Sequence, residues 1–315
     1  MEYVLALVST FLLAFLALPH LIKLAKKLDF CDKPTNRKNH KSPTPLVGGL
    51  AMFLAFSVGY IVFVGVDDFK HASVLLGGAV ILVIGLVDDW YKTKGIEFPA
   101  FPRFIIQIGA ALIVFAAGIR FEGFMNPFTD VYVTLPIGFQ LVLTVFWIFG
   151  VTTVINFSDG LDGLAGSLSA IPAVTMFLIA LSMGQTSSAF MSILLLGAIL
   201  AFLKFNIYPA KVFMGDSGAN FLGFILAVIS LYGAFKQATV ISAFVPVLAL
   251  GVPIFDNIFV VIKRFLARKP IYIADAGQIH HRLLRTGLSP VQVVTFLVLI
   301  CVCLNLTSII LFLLA

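Results

Sequence analysis

The chain has 315 residues, of which 60% are hydrophobic and 11% charged, and its mean hydropathy is +1.08. Soluble globular domains carry about 25% charged residues, so this composition excludes a soluble domain, a disordered chain and a disulfide scaffold. The formal net charge is +6, and its placement along the chain is more informative than its sum.

A membrane-spanning helix needs about 20 apolar residues. Apolar runs bounded by charges or turn residues predict about ten spans, near 2–22, 46–66, 72–87, 103–119, 137–155, 163–183, 188–204, 217–235, 238–262 and 290–314. The first run has an acidic residue and no basic segment before it, so it reads as a retained span rather than a cleaved signal. The double glycine Gly48-Gly49 in the second span permits close helix approach. The uncharged stretch 163–203 is too long for one span and is expected to turn at 182–188. Pro253 predicts a kink or break in the ninth span. Cys31, Cys301 and Cys303 read as free thiols. With short loops and no visible repeat, the chain is expected to be a single all-α, polytopic integral-membrane domain over 1–315.

Eighteen of the 21 Lys and Arg lie in four loops that these spans place on one side, after spans one, three, seven and nine. Lys70, Arg120 and Lys236 lie on the other. The positive-inside rule puts the basic side in the cytoplasm and turns both termini outward. No nucleic-acid partner is expected of such a chain.

Four polar clusters fall on that same basic side. Asp88, Asp89 and Lys92 follow span three, and Asn156, Asp159 and Asp162 follow span five. Asn206, Lys211 and Asp216 follow span seven, while Asp275, His280 and His281 follow span nine. Converging aspartates repel one another unless a divalent cation lies among them, and clustered carboxylate oxygens suit Mg²⁺. Each cluster also has a plainer reading. Asp88 and Lys92 are spaced for an i,i+4 ion pair. Asn156, Asp159 and Asp162 form one polar stripe if helical, or else a Gly-rich turn with Asx caps. Asp216 is placed to be an N-cap, and the two histidines could be interfacial. Lys38, His40 and Lys41 lead into a Pro-set helix start at Pro43-Thr44-Pro45, or turn their cations toward phosphates bound beside the acidic cluster. Asp256 lies inside the ninth span, where an ionisable residue is expected to be functional.

In this order the clusters resemble the polyprenyl-phosphate N-acetylhexosamine-1-phosphate transferases, of the glycosyltransferase 4 type. The resemblance runs through Arg37-Lys38-Asn39-His40-Lys41-Ser42-Pro43-Thr44-Pro45, Asp88-Asp89-Trp90-Tyr91-Lys92 and Asn156-Phe157-Ser158-Asp159-Gly160-Leu161-Asp162-Gly163. It continues through Phe213-Met214-Gly215-Asp216-Ser217-Gly218 and ends at His280-His281-Arg282-Leu283. It implies ten or eleven spans, a UDP-amino-sugar donor, a membrane polyprenyl phosphate such as undecaprenyl phosphate as acceptor, and Mg²⁺, with Mn²⁺ as the alternative. A homodimer is left open.

By resemblance, Asp216 is the first metal ligand and Asp89 sits with the metal. Asp88, Asp89, Asp159, Asp162, His280 and His281 form the catalytic set. Lys41, Thr44, Lys92, Asn156, Asn206, Phe213 and Arg282 contact substrate, with Phe213 stacking on uracil. His280-His281-Arg282, in place of three consecutive histidines, resembles the branch that takes UDP-N-acetylglucosamine in a bacterial inner membrane. Gln278 and Ala276 depart from that branch's pattern. The alternatives are the phospho-N-acetylmuramoyl-pentapeptide branch and, more distantly, a secondary transporter. A transporter would place its acids near the bilayer midplane.

Overall fold

A computed structural model describes residues 1–34, 42–126, 129, 131–232, 240–268 and 277–314. The described residues form a helical membrane protein with two small antiparallel ribbons, β1 (Cys31–Asp32) with β2 (Thr44–Pro45) and β3 (Gly123–Met125) with β4 (Tyr132–Thr134). The helices are α1 (Glu2–Lys27), α2 (Gly48–Phe63), α3 (Phe69–Thr93), α4 (Ala100–Ala116), α5 (Ile137–Phe157) and α6 (Leu164–Ser182). They continue as α7 (Thr186–Asn206), α8 (Gly215–Tyr232), α9 (Val240–Ala249), α10 (Gly251–Leu266), α11 (Ile279–Arg285) and α12 (Pro290–Leu314).

Seven helices, α1, α3, α5, α6, α7, α8 and α12, are long and apolar enough to cross a bilayer, and α2 and α4 are shorter apolar helices. This is a polytopic membrane protein. The expected turn between spans six and seven is present at 183–185, with Gly184 at φ +66°. One expectation changes, and the break expected in the ninth span falls three residues before Pro253. Span three runs on to Thr93, so Asp88, Asp89 and Lys92 lie within its last two turns rather than after it. The ninth span is two helices that meet at Leu250. Pro253 sits in the first turn of α10, where proline's missing N–H costs nothing.

Helix α8 is the axis of the molecule: every residue from Gly215 to Leu231 is buried. It packs against α3 and α5, with α2, α6 and α7 also in contact. Glycines allow this approach. A Cβ on Gly85 of α3 would collide with the Ser217 backbone, and one on Gly49 of α2 would collide with Gly218. By contrast α1 and α12 bury few side chains and present Leu5, Leu12, Leu16, Leu299, Leu306 and Leu313 outward, as suits helices facing lipid tails.

Candidate active site

The C-terminal ends of α3, α5 and α7 and the N-terminal ends of α6 and α8 meet on one face, where they surround a cavity of about 780 Å³. The loop entering α8 is fixed by main-chain bonds to β2 and the start of α2. The N–H of Gly48 donates to the Phe213 carbonyl and that of Gly49 to Met214, both at 3.0 Å, while the Phe213 N–H donates to the Pro45 carbonyl at 2.9 Å. This seats the β1–β2 ribbon, with Thr44, as one cavity wall and leaves the half-buried Phe213 ring on the adjoining one.

The start of α8 is capped from α3. Both oxygens of Asp89 accept from it: Oδ1 from the Asp216 N–H at 2.7 Å, and Oδ2 from the Ser217 N–H at 3.1 Å and its hydroxyl at 2.7 Å. A helix start leaves such donors without partners, and Asp89 supplies the cap that Asp216 was placed to be. The Asp216 side chain is thereby free for the cavity. Its Oδ1 pairs with Lys92 Nζ at 2.6 Å. Arg103, from the first turn of α4, reaches Asp88 Oδ2 at 2.6 Å and Asp216 Oδ2 at 3.8 Å. The i,i+4 pair between Asp88 and Lys92 is replaced by these two longer-range pairs.

The second acidic cluster is a turn, not a helical stripe, because α5 ends at Phe157 and Gly163 enters α6 at φ +77°. Asp159 and Asp162 both line the cavity. Burial, then the nearby Asp216 charge, pushes the Asp159 carboxyl up to about 7. Asp162 Oδ2 accepts the Ala210 N–H at 2.9 Å. Asn206, which also lines the cavity, ties two loop segments to the end of α7: its Oδ1 accepts the Gly163 N–H and its Nδ2 donates to the Val212 carbonyl, each at 2.9 Å. Asn156 points into the helix bundle and donates to Asn220 Oδ1 at 2.9 Å.

Comparison with known proteins identifies the family. The profile of Glycosyl transferase family 4 matches residues 71–234. A Bacillus subtilis (strain 168) protein named "Probable undecaprenyl-phosphate N-acetylglucosaminyl 1-phosphate transferase" is 37% identical over 91% of this chain and 78% of its own length. The chain belongs to glycosyl transferase family 4.

Two further relatives widen the picture of this family 4 protein. The decaprenyl-phosphate N-acetylglucosaminephosphotransferase of Mycobacterium tuberculosis (strain CDC 1551 / Oshkosh) is 33% identical over 88% of the chain and 74% of its own length. A phospho-N-acetylmuramoyl-pentapeptide-transferase of Staphylococcus aureus (strain MSSA476) is 34% identical over 72% of the chain and 74% of its own length.

The remaining residues singled out from the sequence divide between cavity, wall and elsewhere. His281 lines the cavity. His280 is buried behind it, its ring packed on Gly160, where a Cβ would collide with Nε2. Burial, with help from His281, pushes the His280 imidazole down to about 4, so it is neutral at physiological pH. Its Nε2 has no hydrogen-bond partner among the described residues. Arg282 is exposed and lies 4.3 Å from the centre of the Phe259 ring rather than on the cavity wall. Lys41 and Asp275 lie outside the described residues. Sequence reasoning missed Arg103, whose only signal was a lone cation at the start of an apolar run.

The donor set fits a hard divalent cation. The Asp88 and Asp216 carboxylates both approach the Arg103 guanidinium, at 2.6 and 3.8 Å, so two carboxylates already share one cation here. Among the described residues no three His, Cys, Asp or Glu side chains form a ready-made cage. Mg²⁺ is commonly bound by one or two carboxylates together with water and substrate phosphates.

Proposed function

We propose that this protein transfers N-acetylglucosamine 1-phosphate from UDP-N-acetylglucosamine to a membrane polyprenyl phosphate, with undecaprenyl phosphate as the bacterial acceptor. The products are polyprenyl-diphosphate N-acetylglucosamine and UMP, and the step initiates a cell-envelope polysaccharide. The observation that carries this reading is the set Asp88, Arg103, Asp216 and Lys92, gathered beside a cavity large enough for a nucleotide sugar. The relatives named for N-acetylglucosamine transfer match more of this chain than the pentapeptide transferase does, which supports the sugar. All ten spans would then be used, as one unit over 1–315, with α2, α4 and the α9–α10 pair crossing as well. Both termini would face outward, and the cavity would open to the cytoplasm of a bacterial inner membrane.

In the reaction a lipid phosphate oxygen forms a bond to the β-phosphorus, and the bond from that phosphorus to the bridging oxygen breaks, leaving UMP with the electron pair. Phosphoryl transfer needs little covalent help, so positioning and charge neutralisation dominate. Lys92 and Arg103 are placed to move from carboxylate partners to phosphate oxygens as substrates enter. Asp88, beside Arg103, is placed to take any residual proton from the lipid phosphate. Phe213 offers a face for the uracil ring, and Thr44, Asp159, Asp162 and His281 line the space left for ribose and sugar. Asp89 and Asn206 act one layer back, holding the loops that carry these groups. Mg²⁺, held by Asp216 with Asp88 close by, would supply further neutralisation of phosphate charge.

The test is UMP release by purified protein given polyprenyl phosphate, Mg²⁺ and a panel of UDP-sugars. UDP-N-acetylglucosamine should be turned over and UDP-glucose poorly used, because a site that hydrogen-bonds an acetamido group leaves its own polar atoms unpaired without it. Preferential use of UDP-N-acetylmuramoyl-pentapeptide would move the protein to the other branch.

A further inference from the structure

We propose that Asp256 is the positioning residue that seats helix α11, and with it His280 and His281, against the cavity; this rests on the transferase reading above. Asp256 lies in α10, and its two carboxylate oxygens accept the Ile279 N–H at 2.9 and 3.0 Å. Ile279 is the first residue of α11, and the preceding Gln278 makes no capping bond with its side chain. One of the donors that every helix start leaves unpaired is therefore met by a carboxylate from another helix.

A second contact lies one turn along each element. Phe259, three residues after Asp256, stacks under the guanidinium of Arg282, three residues after Ile279, at 4.3 Å. Residues three apart share a helix face, so two points on α10 meet two points on α11 in register. This pairing fixes both the height and the rotation of α11. Asp256 lies ten residues before the end of α10 at Leu266, so α11 begins about 15 Å back along that helix. The apolar side of α11 completes the seat: Ile279, Leu283 and Leu284 pack with Leu161, Leu164 and Val293.

The rotation matters because neighbouring α11 positions differ in surroundings. His280 is buried on Gly160, His281 faces the cavity, and Arg282 faces α10. Helices shorter than about 12–15 residues hold no shape by themselves, and α11 has seven residues. Removing the Asp256 carboxylate should let α11 roll and carry His281 off the cavity wall. Asn at 256 keeps an acceptor oxygen for the Ile279 N–H but carries no charge.

The experiment combines steady-state kinetics with diethylpyrocarbonate labelling of histidines, read by mass spectrometry on substrate-free protein in detergent. In Asp256→Ala the KM for UDP-N-acetylglucosamine should rise roughly tenfold or more, while the KM for polyprenyl phosphate stays within about twofold. His280 should change from protected to reactive, approaching the exposed His20 as internal standard. Asp256→Asn should recover most of the KM and restore His280 protection. Phe259→Ala carries the same labelling readout should Asp256→Ala fail to yield monodisperse protein. The proposal is overturned if His280 stays protected in Asp256→Ala, if the variant loses kcat alone, or if Asp256→Asn is as impaired as Asp256→Ala. Absence of transfer by the unmodified protein would defeat the transferase reading instead, and the labelling pattern would still decide the seating of α11.

Discussion

Adjacent carboxylates on α3 have different tasks, and substitutions should separate them. Asp89 holds three donors at the start of α8, whereas Asp88 pairs with Arg103 beside the cavity. Asp89→Ala leaves buried donors unpaired and should lower stability by about 3 kcal/mol or more, seen as a lower melting temperature in detergent. Asp216→Asn caps nothing but gives up the Lys92 ion pair, so it should melt well above Asp89→Ala while losing turnover. Equal melting of both variants with the unmodified protein would contradict the division. His280 gives a prediction in pH. The unfolded imidazole protonates near 6.5, whereas the folded one stays neutral down to about 4. Its contribution is therefore full above pH 6.5 and is lost as pH falls from 6.5 towards 4, by up to roughly 3 kcal/mol. His281, also shifted down, acts in the same direction. Thermal melts across that window should show the loss, and His280→Asn should flatten it. Of the cavity residues, Lys92, Asp159, Asp162, Asn206, Asp216 and His281 were legible in the sequence as polar clusters at span ends. Arg103 was not, because its partner Asp88 lies on another helix and no spacing rule connects them. Nor could spacing show that Asp89, rather than Asp216, makes the cap.

For the elements, hydropathy located the seven long candidate spans but not their order in the bundle. Helix α8 is the least hydropathic of the seven long candidate spans and the most buried, while α12 is the most hydropathic and among the least buried. The inversion has a physical cause: inside a membrane apolar side chains gain little by leaving lipid, so small residues that allow close backbone approach mark the centre. Gly85 is the sharpest case. Gly85→Ala has no space against the Ser217 backbone and should abolish monodisperse protein in size-exclusion chromatography. Gly109→Ala on α4, where an added Cβ meets nothing within 4 Å, should be neutral or stabilise by up to about 1 kcal/mol. Equal behaviour of the two would show that α3 and α8 do not pack as described. The break at Leu250 was legible only as a proline nearby. What sets its position is packing, with Asn305 of α12 donating to the Ala249 carbonyl at 2.9 Å.

On the scale of the whole molecule, the charge bias and the cavity make the same claim about sidedness. In a cysteine-free background, Lys94→Cys and Tyr208→Cys should be silent to an impermeant thiol reagent in intact cells, and Ser182→Cys, at the opposite end of α6, should react. Labelling at Lys94→Cys or Tyr208→Cys would put the cavity on the wrong side for a cytoplasmic nucleotide sugar. The central claim is that the β-phosphorus travels with the sugar. It is tested most directly with UDP-N-acetylglucosamine labelled with ³²P at the β-phosphate, incubated with the protein, Mg²⁺ and undecaprenyl phosphate, then partitioned between organic and aqueous phases. The label should enter the lipid phase in step with N-acetylglucosamine, with one UMP released per lipid formed. Release of labelled UDP into water, with sugar alone on the lipid, would contradict phosphosugar transfer.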